Sequence, residues 1–594
     1  MKCFKIGDMK IIAHIILCCF FLIFGSAPAW AEGIEYSFAI EGIKDEKLKT
    51  KLQGQSLLVS LADKNPANSA ALNRRIKSDL KSFKALMQEQ GYFNASFEQN
   101  ITEKNDKKIV VVTVDKGPLY TIERFDIDWA SGQTPDIKAL TDFEPPIGQA
   151  ALPETMLESE QNLFNILMQN GYFAPKSEGK TLRVHHGRHS VSLSLSMSAG
   201  PQASFGKTEI TGLKKLKESF VRRRIGWREG ELFDIGRIAR TRKKLNRSGV
   251  MASTEIHYGA LTDEGALPIT IEAKEGKHRS IGAGVAYSTT LGAIANVFWE
   301  HRNLFGGSEK FRIKLEGGTK TSGLSANLNK PDLWGNEKLG LQNAVVYKRE
   351  LLEAFDKDTL SSSTVLNYKY SNKSAISGGV ALEQNKIIEE GEKDENFTLI
   401  SLPLSYRYDD TNDALDPREG WRFNLGVTPY QVLNEQDSFL VTSAGGSHYW
   451  PLGEDFVWAN KARAAFIHGL SLDRIPADKR FYAGGGGSVR GYGYQILGPL
   501  DEDNDPTGGR MVFELGTEGR FKVTESIELV GFVEGARVSE DLEWSSAADF
   551  LWGAGSGLRY HTPIGPLRFD FAVPLNKRPQ DDSYQFYISI GQAF

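Results

Sequence analysis

Apolar residues recur at helical spacing three times in the first half of the chain. Residues three or four positions apart lie on one side of a helix, so each set predicts an amphipathic helix. Each helix is followed by glycine, as in Gly91-Tyr92-Phe93, Gly171-Tyr172-Phe173 and Ser248-Gly249-Val250. A β-rich run comes next, at 109–114, 191–197 and 268–273. The three apolar faces are Leu72, Ile76, Leu80, Phe83 and Met87; Leu157, Phe164, Leu167 and Met168; and Ile235, Ile238 and Leu245. The pattern predicts three repeats of strand, helix, helix, strand, strand.

After Gly276 the helical spacing disappears and a period of two takes its place. The last segment shows it best: one parity holds Tyr584, Phe586, Ile588, Ile590 and Phe594. The other parity is small or polar, with Tyr587 as its one large member. Alternation of this kind is typical of a membrane β-barrel, and 318 residues at about 20 per strand and connection give near 16 strands. A soluble β-sandwich or propeller is the alternative.

The N-terminus predicts export. Lys2, Lys5 and Lys10 precede the apolar stretch 11–24, and Ala29-Trp30-Ala31 follows as a small-x-small cleavage site. This is the pattern of a secretory signal peptide over residues 1–31, although an uncleaved anchor helix is the alternative. All three cysteines lie within it, which excludes thiolate metal sites, disulfides and cysteine nucleophiles from the mature chain. The formal net charge of −4 argues against a nucleic-acid partner.

The residues carry no enzyme signature. No serine has glycine at both −2 and +2, and no His-Glu-x-x-His occurs. His185, His186 and His189 are interpreted as a hairpin turn rather than a metal site. The cations at 214–217 and 222–224 make the third repeat basic. They form either a solvated helix face or a surface for a periplasmic partner or anionic lipid head groups. We therefore expect no catalytic residues, no cofactor and no metal.

The most informative stretch runs from Arg480 to Tyr492 and contains four consecutive glycines, 484–487. Such a run is a poor strand interior, because each glycine loses much backbone entropy and packs nothing. No Gly-Lys-Ser/Thr follows, so a phosphate loop is excluded. From the residues alone it is a loop.

That loop carries a family resemblance. Val489-Arg490-Gly491-Tyr492 resembles the Val/Ile-Arg-Gly-Tyr/Phe motif of the BamA/TamA superfamily of outer-membrane assembly proteins. The segments 531–535, 565–572 and 409–420 and the terminal Phe594 are similar to other strands and turns of that family. The three N-terminal repeats resemble polypeptide-transport-associated (POTRA) domains. Three repeats match the TamA branch, because BamA relatives usually carry five and two-partner secretion transporters two.

The resemblance implies a domain plan and a site. It implies POTRA-like domains over 34–116, 117–200 and 201–276, then an outer-membrane β-barrel over 277–594. In this family the loop folds into the barrel, so Arg490 is expected to contact the inner wall at Phe532 and Glu534. The family usually has Asp where this chain has Glu534. A lateral seam is expected between the first and last strands, with Gly282, Gly284, Phe586, Ile588, Ile590 and Phe594 as its candidate residues.

The implied function is non-enzymatic. By resemblance the protein sits in the outer membrane of a Gram-negative bacterium with its N-terminal domains in the periplasm. It would aid insertion or export of outer-membrane and autotransporter proteins at the seam, with a TamB-like inner-membrane-anchored periplasmic protein as partner. The expected partners also include the client proteins and membrane lipids. Phospholipid transport by the same complex, or a two-partner secretion pore, are the alternatives.

Overall fold

The computed structural model describes residues 33–130, 134–289, 291–388, 394–543, 550–562 and 565–590. The predicted signal peptide lies outside these residues. Within the described part of the chain, no helix has the length and apolar character needed to cross a membrane. By their internal contacts the residues group into two compact units. The first holds mainly the first two N-terminal modules, and the second holds the β-barrel together with part of the third module.

Three small α+β modules precede the barrel. The first contains β1 (Tyr36–Glu41), α1 (Glu46–Gln55), α2 (Leu57–Ser60), α3 (Ser69–Glu89), β2 (Ser96–Lys104) and β3 (Lys107–Asp115). The second contains β4 (Thr121–Trp129), α4 (Lys138–Thr141), α5 (Pro153–Gln169), β5 (Lys176–His185) and β6 (Ser190–Ser198). The third contains β7 (Ser204–Thr211), α6 (Glu218–Arg224), α7 (Ile235–Asn246), β8 (Met251–Tyr258) and β9 (Ala266–Glu275). The last strand of each module lies at the centre of its three-stranded sheet.

The recurring glycine closes the long helices in the first two modules. After α3, the Gly91 N–H donates to the Gln88 carbonyl and the Tyr92 N–H to the Met87 carbonyl. These two bonds define a Schellman cap, whose glycine adopts a positive φ, here 81°. The apolar helix face packs under the sheet, where Phe83 and Met87 are fully buried. The repeat predicted from helix spacing therefore corresponds to a helix, a glycine cap and a returning strand.

Among the described residues, the barrel is one antiparallel sheet of 17 strand segments, β10 to β26, in sequence order. Its first nine segments are β10 (Arg279–Ser288), β11 (Gly292–His301), β12 (Lys310–Gly318), β13 (Thr321–Lys330), β14 (Leu339–Leu351), β15 (Asp356–Lys369), β16 (Ser374–Ile388), β17 (Glu395–Ser401) and β18 (Leu404–Asp409). The others are β19 (Gly420–Val432), β20 (Asp437–Pro451), β21 (Phe456–His468), β22 (Met511–Lys522), β23 (Ile527–Ser539), β24 (Leu551–Thr562), β25 (Gly565–Pro574) and β26 (Gln585–Ile590).

Two of these segments share one place in the wall. β16 pairs with both β17 and β18, and so does β19. The break falls at Leu402-Pro403, where proline has no N–H to give to a ladder. The 17 segments therefore fill 16 strand positions, the number expected from the length of the region.

The two faces of the wall differ as the alternation predicts. The outward positions are apolar and exposed, as at Ile281, Val285 and Leu315. Many inward positions are charged or glycine, and several buried ion pairs lie on that side. The prediction of a membrane β-barrel behind three α+β domains is confirmed by this fold.

Candidate functional site: the lumenal loop and its barrel wall

A long loop, residues 469–510, joins β21 to β22 and packs against the inner side of the wall. Its first part is anchored near β15 to β17. There Ile475 packs in an apolar cluster with Phe355 and Phe397. The neighbouring Asp478 accepts a hydrogen bond from Asn385 at 2.8 Å and lies 3.4 Å from the Lys357 amine. The loop is therefore fixed well before its glycine run begins.

The structure places Arg490 at the centre of a buried charge cluster, with none of its surface exposed. Its Nε and Nη2 donate to the two carboxylate oxygens of Glu534, both at 2.9 Å, and its backbone N–H donates to Glu534 Oε2. Nη2 also donates to Glu518 Oε2 and Nη1 to Asp570 Oδ2, each at 2.9 Å. The guanidinium carbon lies 3.3 Å from the centre of the Phe532 ring, a cation–π contact. One side chain thus joins the loop to β22, β23 and β25.

Further cations complete the cluster around these three carboxylates. The Lys461 amine lies 2.8 Å from Glu534 Oε1 and donates to the Ser488 carbonyl at 2.9 Å. Arg520 donates to Glu518 at 2.8 Å, while Arg559 and Arg568 both contact Asp570. We call these eight residues the lumenal charge cluster: Lys461, Arg490, Glu518, Arg520, Glu534, Arg559, Arg568 and Asp570. It has five cations for three anions, so each carboxylate has at least two cationic partners.

The residues beside Arg490 are held by packing and backbone shape. Val489 is fully buried among apolar residues that include Val512 and Ala536. Gly491 has φ 108°, and a Cβ built there would lie 2.9 Å from the main chain of Val573, so a larger residue is strained and crowded. The Tyr492 hydroxyl bonds to the Asn576 side chain at 3.1 Å. The four motif residues therefore form one rigid turn against the wall.

Comparison with known proteins now gives this fold a family. Residues 303–594 match the model of the Omp85 superfamily domain. The barrel carries an Omp85 superfamily domain. It lies in the outer membrane of a Gram-negative bacterium, with the POTRA-like domains in the periplasm.

Relatives of known name extend along most of the chain. The outer membrane protein assembly factor BamA of Nitratidesulfovibrio vulgaris is 22% identical over 551 residues, covering 87% of this chain and 68% of that protein. BamA of Neisseria meningitidis serogroup B is 22% identical over 605 residues, covering 88% and 73%. The crystal structure of Haemophilus ducreyi BamA lacking POTRA domains 1–3 superposes with a TM-score of 0.67 at 20% identity. It covers 80% of this chain and 99% of that structure, which supports the fold.

The seam expected from the resemblance corresponds to the two ends of the sheet order, β10 and β26. Residues of the two strands approach within 8 Å Cα to Cα. No ladder joins them among the described residues, and the sheet order runs from β10 to β26 without a link between its ends. Phe586 and Ile588 point outward and are exposed, while Gly282 lies beneath the Phe298 ring. The Ile590 side chain and Phe594 lie outside the described part of the chain.

Sequence reasoning paired Arg490 with Glu534. It missed Glu518 and Asp570 as further partners of Arg490, and Lys461 as a second cationic partner of Glu534. A usable signal was present in the alternation. Glu518-x-Arg520 and Arg568-x-Asp570 put opposite charges at positions i and i+2, which face the same side of a strand. Charged residues on the inward parity of three strands predict a lumenal cluster, although they leave its pairing open. The histidines at 185 and 186 bond to Ser192 and Tyr120, as residues of a structural hairpin do.

Proposed function

We propose that this Omp85 protein is an outer-membrane assembly factor that receives client strands at the β10–β26 seam. The observation that carries the proposal is the absence of a described ladder between these strands in a barrel whose other neighbours are all paired. Free N–H and C=O groups at a strand edge bind another strand through main-chain hydrogen bonds, which demand little of the client's sequence. The relatives' name, outer membrane protein assembly factor, supports the same role.

The lumen favours the seam over a central pore. The loop 469–510 fills the inner side of the wall with an apolar cluster near β15 to β17 and with the lumenal charge cluster near β22 to β25. We infer that a chain passing through the centre would have to displace these buried groups. Separating a buried ion from its partners costs free energy, and each client passing through the centre would incur this cost again. Strand addition at the seam leaves the loop in place and requires no covalent chemistry, which is why we assign no enzymatic activity.

We also infer a TamB-like periplasmic partner that binds the N-terminal arm. The support is the number of modules: three α+β sheets precede the barrel, as in the TamA branch that the motifs resemble. Affinity purification of the full chain from its native membrane tests this part of the proposal. Recovery of a large inner-membrane-anchored periplasmic protein supports the inference. Recovery of soluble accessory proteins alone, with no such partner, contradicts it.

The seam itself is tested by locking it. One cysteine is introduced among Ile281–Tyr287 and one among Phe586–Ile590, in several combinations, because the register between the strands is not defined. A disulfide forms when the Cα atoms lie within about 7 Å, so cross-linking reports strand proximity. The lock is expected to abolish insertion of client barrels into vesicles, and reductant is expected to restore it.

The matched control is a disulfide within the wall. Tyr347 and Leu360 are exposed, direct cross-strand partners on β14 and β15, so Tyr347→Cys with Leu360→Cys ties two inner strands of the sheet order and leaves the seam free. Insertion is expected to survive this lock. Full insertion activity with the seam itself locked would contradict the proposal and favour a central pore. A parallel lipid-transfer measurement on the same vesicles shows whether phospholipid passes at the seam as well.

A further inference from the structure

The terminal strand carries one residue that breaks its pattern. Tyr587 lies on the inward parity of β26, where the other members are small or polar, and only 5% of it is exposed. Its neighbours Phe586 and Ile588 point outward and are 58% and 39% exposed. A large buried aromatic at the edge of the seam is not required by a lipid-facing strand, so its contacts call for an explanation.

Tyr587 is hydrogen-bonded to the backbone of Val489–Tyr492, which we call the arginine motif. Its hydroxyl donates to the Tyr492 carbonyl at 2.8 Å and accepts from the Gly491 N–H at 3.1 Å. One hydroxyl thus satisfies a donor and an acceptor of the same buried turn. The two residues lie 96 and 95 positions from Tyr587 in sequence, so the link joins the middle of the chain to its end.

The ring of Tyr587 is packed as closely as its hydroxyl is bonded. It belongs to a buried cluster with Val530, Phe532 and Ala572. Phe532 is the ring under the Arg490 guanidinium, so the aromatic platform of the arginine rests partly on the terminal strand. On the loop side, a Cβ built on Gly486 would lie 2.9 Å from Tyr587 Cδ1. The glycine at that position therefore lets the loop main chain lie against the ring.

The carboxylates that hold Arg490 come from other strands. Glu518 lies on β22, Glu534 on β23 and Asp570 on β25. Among the described residues, Tyr587 supplies the hydrogen bonds that join β26 to the loop. The strand itself is tied to the wall by a short ladder with β25, over Leu567–Ala572. A movement of β26 away from the wall therefore breaks the Tyr587 bonds while the charge cluster can stay intact.

We propose that Tyr587 is a positioning residue that couples the arginine motif of the lumenal loop to the terminal strand at the seam. When the motif is seated, the hydroxyl and the ring hold β26 in the wall. When β26 leaves, the buried Gly491 N–H loses the Tyr587 hydroxyl as its acceptor, and the Tyr492 carbonyl keeps only the longer bond from the Gly485 N–H, at 3.2 Å. The loss of these bonds destabilises the seated loop. Coupling of this kind is reciprocal, so the loop and the strand each bias the other. The inference deepens the proposed function, because it makes the loop a regulator of the same seam.

The test measures coupling without measuring client insertion. Phe571→Cys with Phe586→Cys ties β26 to β25, and hydrogen exchange of residues 484–492 is followed in the full chain in vesicles, oxidised and reduced. The lock is expected to slow exchange of the motif about fivefold, the factor that corresponds to about 1 kcal/mol for a hydrogen bond. In a Tyr587→Phe background the ring and its packing remain, and the lock is expected to leave motif exchange unchanged.

Tyr584→Phe is the matched control, since Tyr584 is exposed just before the same strand and loses the same hydroxyl. It is expected to preserve the effect of the lock. If the disulfide slows hydrogen exchange of residues 484–492 equally in the Tyr587→Phe and Tyr584→Phe backgrounds, the proposal is overturned. This outcome is separate from failure of the proposed function: a seam lock that leaves client insertion intact rejects strand addition, whatever the exchange data show.

Discussion

The wall of this barrel is held in two different ways at two places. Between β14 and β15 a ladder thirteen residues long joins Leu339–Leu351 to Asp356–Tyr368. Among the described residues, the ladder between β25 and β26 covers six residue pairs, and none joins β26 to β10. The same terminal region is, however, where the lumenal loop makes its most extensive polar contacts. Where the main-chain ladder is short, side-chain contacts with a distant loop hold the strands in the wall. A few side-chain bonds can break and re-form more easily than a long ladder can.

The largest expected effect comes from removing a carboxylate of the lumenal charge cluster. Glu534→Ala leaves five cations with two anions and takes partners from both Arg490 and Lys461. Stranding buried charges costs about 3–5 kcal/mol. Arg490→Ala is expected to cost less, because Glu518, Glu534 and Asp570 each keep another cation. Denaturant unfolding of the full-length protein in detergent gives the order of the two variants.

The control for this pair is Glu502→Ala, which removes an exposed carboxylate from the same loop. It is expected to leave the free energy of unfolding unchanged. The double variant of Arg490 and Glu534 is expected to be clearly non-additive, since the two side chains are in direct contact. If Arg490→Ala lowers the free energy of unfolding more than Glu534→Ala does, the balance of five cations and three anions does not explain the stability of the cluster.

A smaller effect is expected at the turn that presents Arg490. Gly491→Ala places a Cβ 2.9 Å from the Val573 main chain at φ 108°. Strain of this kind costs about 1–3 kcal/mol. Limited proteolysis of the folded barrel is expected to cut within 484–492 faster than in the unmodified chain. Gly487→Ala is the control, because nothing lies within 4 Å of a Cβ there, and equal cleavage of both variants would show that the close approach at Gly491 is unimportant.

The comparison between the two ladders can be measured in the unmodified protein. Amides of β26 are expected to exchange at least about tenfold faster than those in the middle of β14 and β15, which corresponds to about 1.4 kcal/mol in local opening. Hydrogen exchange of the full chain in vesicles gives both values in one experiment. Equal protection of β26 and β14 would mean that the terminal strand is as firmly paired as the middle strands. This result would contradict the difference between the two ladders.

An effect of similar size is expected at Glu275, which ends β9 before the barrel. Burial raises the pKa of its carboxyl, but hydrogen bonds from the backbone N–H groups of Leu216, Lys214 and Lys215 outweigh this and hold the pKa below its usual range. The stabilisation is therefore present above the unfolded pKa and is lost as the pH falls through the folded value. Glu275→Gln is expected to cost about 1.5 kcal/mol at neutral pH and less in acid, by thermal unfolding. Glu264→Gln, at an exposed position, is the control, and a difference that grows in acid would contradict the assignment.

Much of the architecture follows from local pattern. A period of 3.6 followed by glycine marks the helices, and a period of two marks the wall, because both depend on neighbours within a few residues. The Leu402-Pro403 break also follows from a residue that cannot donate a hydrogen bond. The charge cluster was only partly predictable. Asp570 lies 80 residues from Arg490, and its approach is set by barrel closure, which no short-range pattern encodes.

Tyr587 shows the same limit. Alternation identifies it as unusual, because a large side chain occupies the small or polar parity of β26. The pattern says nothing of the Gly491 and Tyr492 backbone that it bonds, since those partners come from a loop formed far earlier in the chain. The exception to the alternation therefore identifies Tyr587, but only the folded barrel shows which residues it contacts.

The span of these contacts also orders events during biogenesis. The loop emerges before β22 to β26, yet its arginine and its turn bond to residues that lie up to 96 positions later in the chain. Contacts so distant in sequence form late, because chain entropy must be lost before they can form. Arg490 therefore stays without Asp570, and the turn without Tyr587, until the last strands arrive. A barrel made from a chain cut short before β26 would leave the buried Gly491 N–H without the Tyr587 hydroxyl, so full seating of the loop reports that the last strand has been added.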